Sequence, residues 1–145
     1  MAARTVEIVD AMVDYLNGLT LSQTFNAEKK LVVSEDLHEV QSLQVYVIPA
    51  PLTSTVTARN YEEEIHQINI AVMREANEIT ELETMLSFKQ EIADAIRLKV
   101  LTSGSNTYRY AGQNNDPQYS NELASTKALF MSVLQVRYKT LVEGV

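Results

Sequence analysis

The sequence predicts an α+β fold, a mainly antiparallel four-stranded sheet packed by two helices in the order α-β-β-β-α-β. Three observations predict it. Two segments carry apolar residues at helical spacing. Four others alternate apolar and polar residues with the period of a half-buried strand. The connections between them are too short for repeated βαβ crossovers. With 145 residues, the chain has the size of one domain, and 1–145 is expected to share a single core without help from a disulfide or metal.

The first helix is predicted from about Val6 to Asn17. Val6, Val9, Val13 and Leu16 fall on one face, Thr5 stands where an N-cap would, and Gly18 provides a stop. Glu7 and Asp10 near its start suit the helix dipole. Phe25, Ala27, Leu31 and Val33 alternate and suggest a first strand over about 25–33, with Lys29 interrupting its apolar face. The acidic stretch 34–40 reads as a turn or a short helical turn.

Leu43, Val45 and Val47 define a second strand that Pro49 and Pro51 should end. The Thr-rich segment 52–60 has no apolar period and reads as a loop or exposed arm. Ile68, Ile70 and Val72 mark a third strand over about 61–74. Thr80 and Glu83 match a capping box ahead of the stripe Leu82, Met85, Leu86, Ile92, Ala93, Ile96 and Val100, so a long second helix is expected to run to about Thr102. A polar loop is expected at about 103–126, rich in Asn, Gln and Ser and carrying Tyr108, Tyr110 and Tyr119. The closing strand spans about 128–141. Phe130, Leu134, Val136 and Tyr138 share one face, and Leu129, Met131 and Val133 the other.

Composition narrows the function. Twelve basic and 19 acidic side chains give a formal net charge of −7. Such a surface repels nucleic-acid phosphate. The absence of cysteine excludes disulfides, thiolate zinc sites and cysteine nucleophiles. No stretch approaches the roughly 18 apolar residues of a membrane span, and the first ten residues do not resemble a signal peptide. A soluble protein made in the cytoplasm is expected, with no membrane partner.

Chemistry-bearing motifs are sparse. His38 and His66 fall in different elements and match no zinc spacing, and His66 on the face of Ile68 reads as structural. Of the run Glu62, Glu63 and Glu64, only Glu62 and Glu64 share a strand face. They could act as paired carboxylates, but a solvated strand end suits the run better. With four glycines in the whole chain, there is no phosphate-binding glycine loop and no nucleophile elbow. Met73, Met85 and Met131 read as core filler. No catalytic residue, cofactor or metal site is expected. What remains is the closing strand, apolar on both faces in its first half. One face should meet a helix, and the other is equally suited to burial within the monomer or at an interface. The candidate subunit-interface residues are Leu129, Met131, Val133, Tyr108, Tyr110 and Tyr119.

The order of elements carries a resemblance. A short amphipathic helix and two strands lead into the strand EEEIHQINIAVMRE. A capped helix, TELETMLSFKQEIADAIRLKV, follows, then a polar loop and the closing strand KALFMSVLQVRYKTL. This layout resembles the tail-terminator or head–tail joining proteins of long-tailed bacteriophages over nearly the whole chain. The resemblance implies a structural virion protein at the head–tail junction. It implies a homo-oligomeric ring, typically of six subunits, that caps the tail tube, meets the tube protein on one side and docks to the head connector on the other. DNA would pass through its hole without specific binding, a role that acidic walls suit. A head-completion or neck adaptor, a small enzyme using Glu62 and Glu64, and a monomeric binding domain are the alternatives.

Overall fold

A computed structural model describes residues 3–30, 43–58, 61–76, 78–104, 106–114 and 129–143, with side chains outside that description at 51–58, 129 and 143. The element order is α1 (Arg4–Asn17), β1 (Ala27–Lys29), β2 (Gln44–Ala58), β3 (Tyr61–Glu75), α2 (Ile79–Ile96), β4 (Leu101–Ser103), β5 (Asn106–Asn114) and β6 (Leu129–Glu143). The six strands form one sheet in the order β1-β2-β3-β6-β5-β4. β1 runs parallel to β2, and every other neighbouring pair is antiparallel. The sheet is therefore mixed, and it curls into a half-barrel.

This corrects the expected four-stranded antiparallel sheet and its element order. The two helices are present, as are long strands at the second, third and last predicted positions. The additional strands β4 and β5 lie largely within the segment expected to be a polar loop. β4 is three residues long, too short to leave a period. In β5 only Tyr108 is fully buried, so no apolar face shows in the sequence. Gly104, at φ 60°, sits in the tight turn between them, where a left-handed backbone favours glycine. Of the predicted first strand, Ala27–Lys29 is strand, Phe25 and Asn26 are not, and 31–33 lie outside the described residues. Phe25 precedes that strand and packs edge-on against Phe88, with ring centroids 5.3 Å apart. The predicted turn at 34–40, His38 and Tyr119 lie outside the described residues.

β2 does not stop at its prolines. Pro49 pairs with Ile68 and Leu52 with His66, so Ala50 and Pro51 together face Gln67 in a β-bulge. β1 ends its pairing at Val47. Both prolines thus lie where β2 has no described neighbour on its other side, and a missing N–H is tolerated there. Beyond the bulge, 52–58 is strand rather than loop.

Both helix starts differ from the sequence reading. Ala3 is the N-cap of α1, and Thr5 lies inside the helix. Its hydroxyl is instead engaged with His66 across the sheet. Glu78 caps α2 without a side-chain bond, so the Thr80–Glu83 box does not form. α2 ends at Ile96, and Val100 is exposed.

Both helices cover the same face of the sheet. The rows Val45–Val72–Ser132, Val47–Ile70–Leu134 and Pro49–Ile68–Val136 cross β2, β3 and β6. Their apolar members pack with Ile8, Met12 and Leu16 of α1 and with Met85, Phe88, Ile92 and Ile96 of α2. Each such side chain contributes about 1.5–3 kcal/mol on burial. On the opposite face Tyr46, Ile48, Ala71 and Met73 form a second cluster, against which Met131 and Val133 pack.

Candidate functional site

A polar network joins the first two turns of α1 to β3 and β5. Strand alternation places Glu64 and His66 on the helix-covered face, in line with Ile68. Arg4 reaches Glu64 with two bonds. Its Nε donates to Oε1 at 2.6 Å, and its Nη2 donates to Oε2 at 2.8 Å. His66 Nε2 lies 3.0 Å from Glu64 Oε1, and His66 Nδ1 lies 2.7 Å from Thr5 Oγ1. An ionised carboxylate only accepts, so in the neutral ring Nε2–H donates to Glu64 and Nδ1 accepts from the Thr5 hydroxyl. One turn further on, Glu7 Oε2 accepts from Asn106 Nδ2 at 3.0 Å and from the Tyr108 hydroxyl. The Tyr108 ring meets His66 edge-on, with centroids 6.3 Å apart.

The electrostatics follow from these contacts. The bonds from Arg4 hold the Glu64 carboxyl below its usual range, with a smaller contribution from His66, and Glu64 in turn raises the Arg4 guanidinium. Bonds from Tyr108 and Asn106 lower Glu7. Burial, followed by the bond to Glu7, pushes the Tyr108 phenol up.

Hydroxyl, imidazole and carboxylate stand in the order of an acid–base relay. Their surroundings suit a different task. Glu64 is neutralised by a two-bond guanidinium, and His66 is 2% exposed. Apart from the His66–Glu64 bond within β3, the bonds named here join elements distant in sequence. Charge-assisted bonds of this kind contribute about 1.5–3 kcal/mol each when shielded from water. The network therefore fixes the approach of α1 to the sheet. Among the described residues, no group of three or more His, Cys, Asp or Glu side chains is placed to hold a metal ion.

The predicted interface residues divide between the two faces of the sheet. Met131 and Val133 lie on the face away from the helices, where cross-strand pairing places Met131 opposite Met73 and Val133 opposite Ala71. The backbone of Leu129 pairs with Glu75, while its side chain lies outside the description. Tyr108 and Tyr110 are on the other face. Tyr108 is fully buried in the monomer, because alternation in β5 turns it inward and Glu7 satisfies its hydroxyl. It belongs to the core and not to a surface. Tyr110 is half-buried against Tyr138 at 6.2 Å. Of the paired carboxylates, Glu62 is exposed and Glu64 buried.

A basic patch that sequence reading missed lies at the far end of β5 and β6. Arg109 pairs directly with Lys139, and both are exposed. Arg137 follows the alternation of Lys139 on β6 and lies against Gly112, whose φ of 125° marks a bulge in β5. A side chain at Gly112 would begin 2.9 Å from the Arg137 guanidinium. Arg109 and Lys139 line a pocket of about 410 Å³ with Glu63, Thr140 and Leu141.

Compared with protein-family models and with curated proteins, the chain matches none. Among solved structures it is similar to a chain described as the virion of a native gene transfer agent particle. The TM-score is 0.50 at 15% identity, covering 99% of this chain and 100% of that one. At that identity the likeness is one of fold.

Proposed function

We propose that this chain is a structural protein of a phage-like virion, and within it a tail terminator. Copies assemble as a ring, of about six subunits on the resemblance drawn above, that caps the tail tube and docks it to the head connector while DNA passes through. The observation that carries this reading is the end-to-end match of fold with a virion chain, which spans 99% of this chain and all of the other. The two-faced apolar pattern of β6 supports it, since a ring subunit must offer one face to the next copy. So does the polar network, which uses its His, Glu and Thr to hold α1 against the sheet.

Tube length tests the proposal. Purified chain added to polymerising tail-tube protein should stop growth and appear at one tube end in electron micrographs. Light scattering should detect a species of about six 16.3 kDa chains. Tubes that grow unchecked, with the chain nevertheless joining finished tails to heads, would make it a neck adaptor instead. A chain that does neither would not be a junction protein.

A further inference from the structure

We propose that the basic end of the sheet face away from the helices, formed by Arg109, Arg137 and Lys139, docks onto the acidic helical face of a second copy of this chain. The proposal rests on the ring reading and specifies its contact.

Like charges directly opposite on neighbouring strands are destabilising, yet Arg109 and Lys139 are cross-strand partners. None of the three cations has a hydrogen-bonded or ion-paired acid among the described residues. Most other basic side chains of the described structure are engaged, Arg74 apart. Arg4 holds Glu64, Lys29 holds Asp10, Arg97 meets Asp94, and Lys30 and Lys99 lie over Tyr46 and Tyr15. The patch thus concentrates unspent positive charge in a chain of net charge −7.

Its surroundings favour a protein surface over nucleic acid. Among the described residues, the pocket has no aromatic ring for a base to stack on. It contains Leu141, 63% exposed, an apolar anchor of the kind protein interfaces use.

The complementary surface lies on the same chain. Apart from Glu7 of the polar network, α1 and α2 carry Asp10, Asp14, Glu81, Glu83, Glu91 and Asp94, six acids, of which Asp10 meets Lys29 and Asp94 meets Arg97, against two bases, Arg4 and Lys89. Arg4 is spent on Glu64, and Lys89 is buried. Asp14 and Glu83 are exposed and unpaired among the described residues. The helices cover one side of the sheet and the basic patch faces the other, so the two surfaces of one subunit cannot meet. Between copies they join front to back, which is the heterologous contact that closes rings.

The experiment is a charge swap read by light scattering and by thermal unfolding. Arg109→Glu with Lys139→Glu should leave the fold intact and raise the concentration needed for assembly by at least about tenfold. Asp14→Lys with Glu83→Lys should do the same. All four changes together should restore assembly, and added salt should weaken the wild-type ring. Assembly of the sheet-side variant at wild-type concentration would overturn the contact. So would a folded fourfold variant that stays monomeric. Wild-type duplex-DNA retention at low salt that disappears in a normally assembling sheet-side variant would reassign the patch to phosphate and overturn it as well. The tube-length experiment judges the ring reading separately, since a chain that caps tubes yet tolerates charge reversal loses only this contact.

Discussion

Arg4, in the first turn of α1, grips Glu64 of β3 through both carboxylate oxygens, at 2.6 and 2.8 Å across 60 positions of sequence. Glu64 is nearly buried, with 9% side-chain exposure, while Arg4 remains 41% exposed. Water therefore screens one end of the pair, and it contributes less than a fully buried one. Its pH dependence has a definite sign. The folded carboxyl titrates below the ordinary value of 4.5, so the unfolded chain binds protons first as the pH falls. The stabilisation is complete above that value and is lost as the pH drops through the folded pKa. Glu64→Gln should cost about 1–2 kcal/mol at pH 7 and markedly less at pH 3. Urea unfolding at the two pH values checks this, and an equal cost at both would show that the ion pair is not the source.

Tyr138 presents the opposite case. It is fully buried beneath Tyr110, and its hydroxyl has no hydrogen-bond partner among the described residues. Burial pushes its phenol pKa up. A buried polar group without a partner costs about 1–3 kcal/mol. Tyr138→Phe keeps the ring and removes the cost, so its urea midpoint should rise, by about 1 kcal/mol in stability. A fall in stability would reveal a hydroxyl contact beyond those described.

These two residues show what was legible in the sequence. Tyr138 shares a period-two face with Phe130, Leu134 and Val136, and the structure buries all four. Glu64 and His66 could likewise be placed on the face of Ile68 by alternation. Their partners could not, because Arg4 and Thr5 reach them only after α1 is laid across the sheet. Thr5 read as an N-cap because the local chemistry of a helix start and of a tertiary bond to imidazole is the same hydroxyl. β1 and β4 are three residues each, below the length at which a period can be seen. Pro49 and Pro51 misled because their penalty disappears in a bulge where β2 has no described neighbour on its other side. The Arg109–Lys139 pair stayed hidden because it depends on the register of a strand that the polar composition of 103–126 concealed.

Leu98 follows α2 with φ 62° and is 78% exposed. Glycine is the usual residue at this left-handed position, since any Cβ there meets the backbone. The side chain recovers little in return, being in water. Leu98→Gly should raise stability by about 0.5–1 kcal/mol despite the greater entropy of an unfolded glycine. Thermal unfolding reads the change. A destabilised variant would mean that the leucine packs against something in solution.

Val133 stands opposite Ala71 on the sheet face away from the helices, half-buried beside Met131. Both surfaces of β6 are apolar here, and only one meets the helices. Val133→Asp places a carboxylate among Tyr46, Ala71 and Met73, so it should lower monomer stability by about 1–3 kcal/mol through desolvation alone. That cost leaves most of a typical domain folded. If this face also receives the next subunit, assembly should fail well below the unfolding temperature, and Val133→Thr should show a weaker form of the same defect. Circular dichroism and light scattering on the same samples separate the two effects. A folded Val133→Asp that still forms rings would restrict the cluster to the monomer and leave the basic end of the face as the contact between copies.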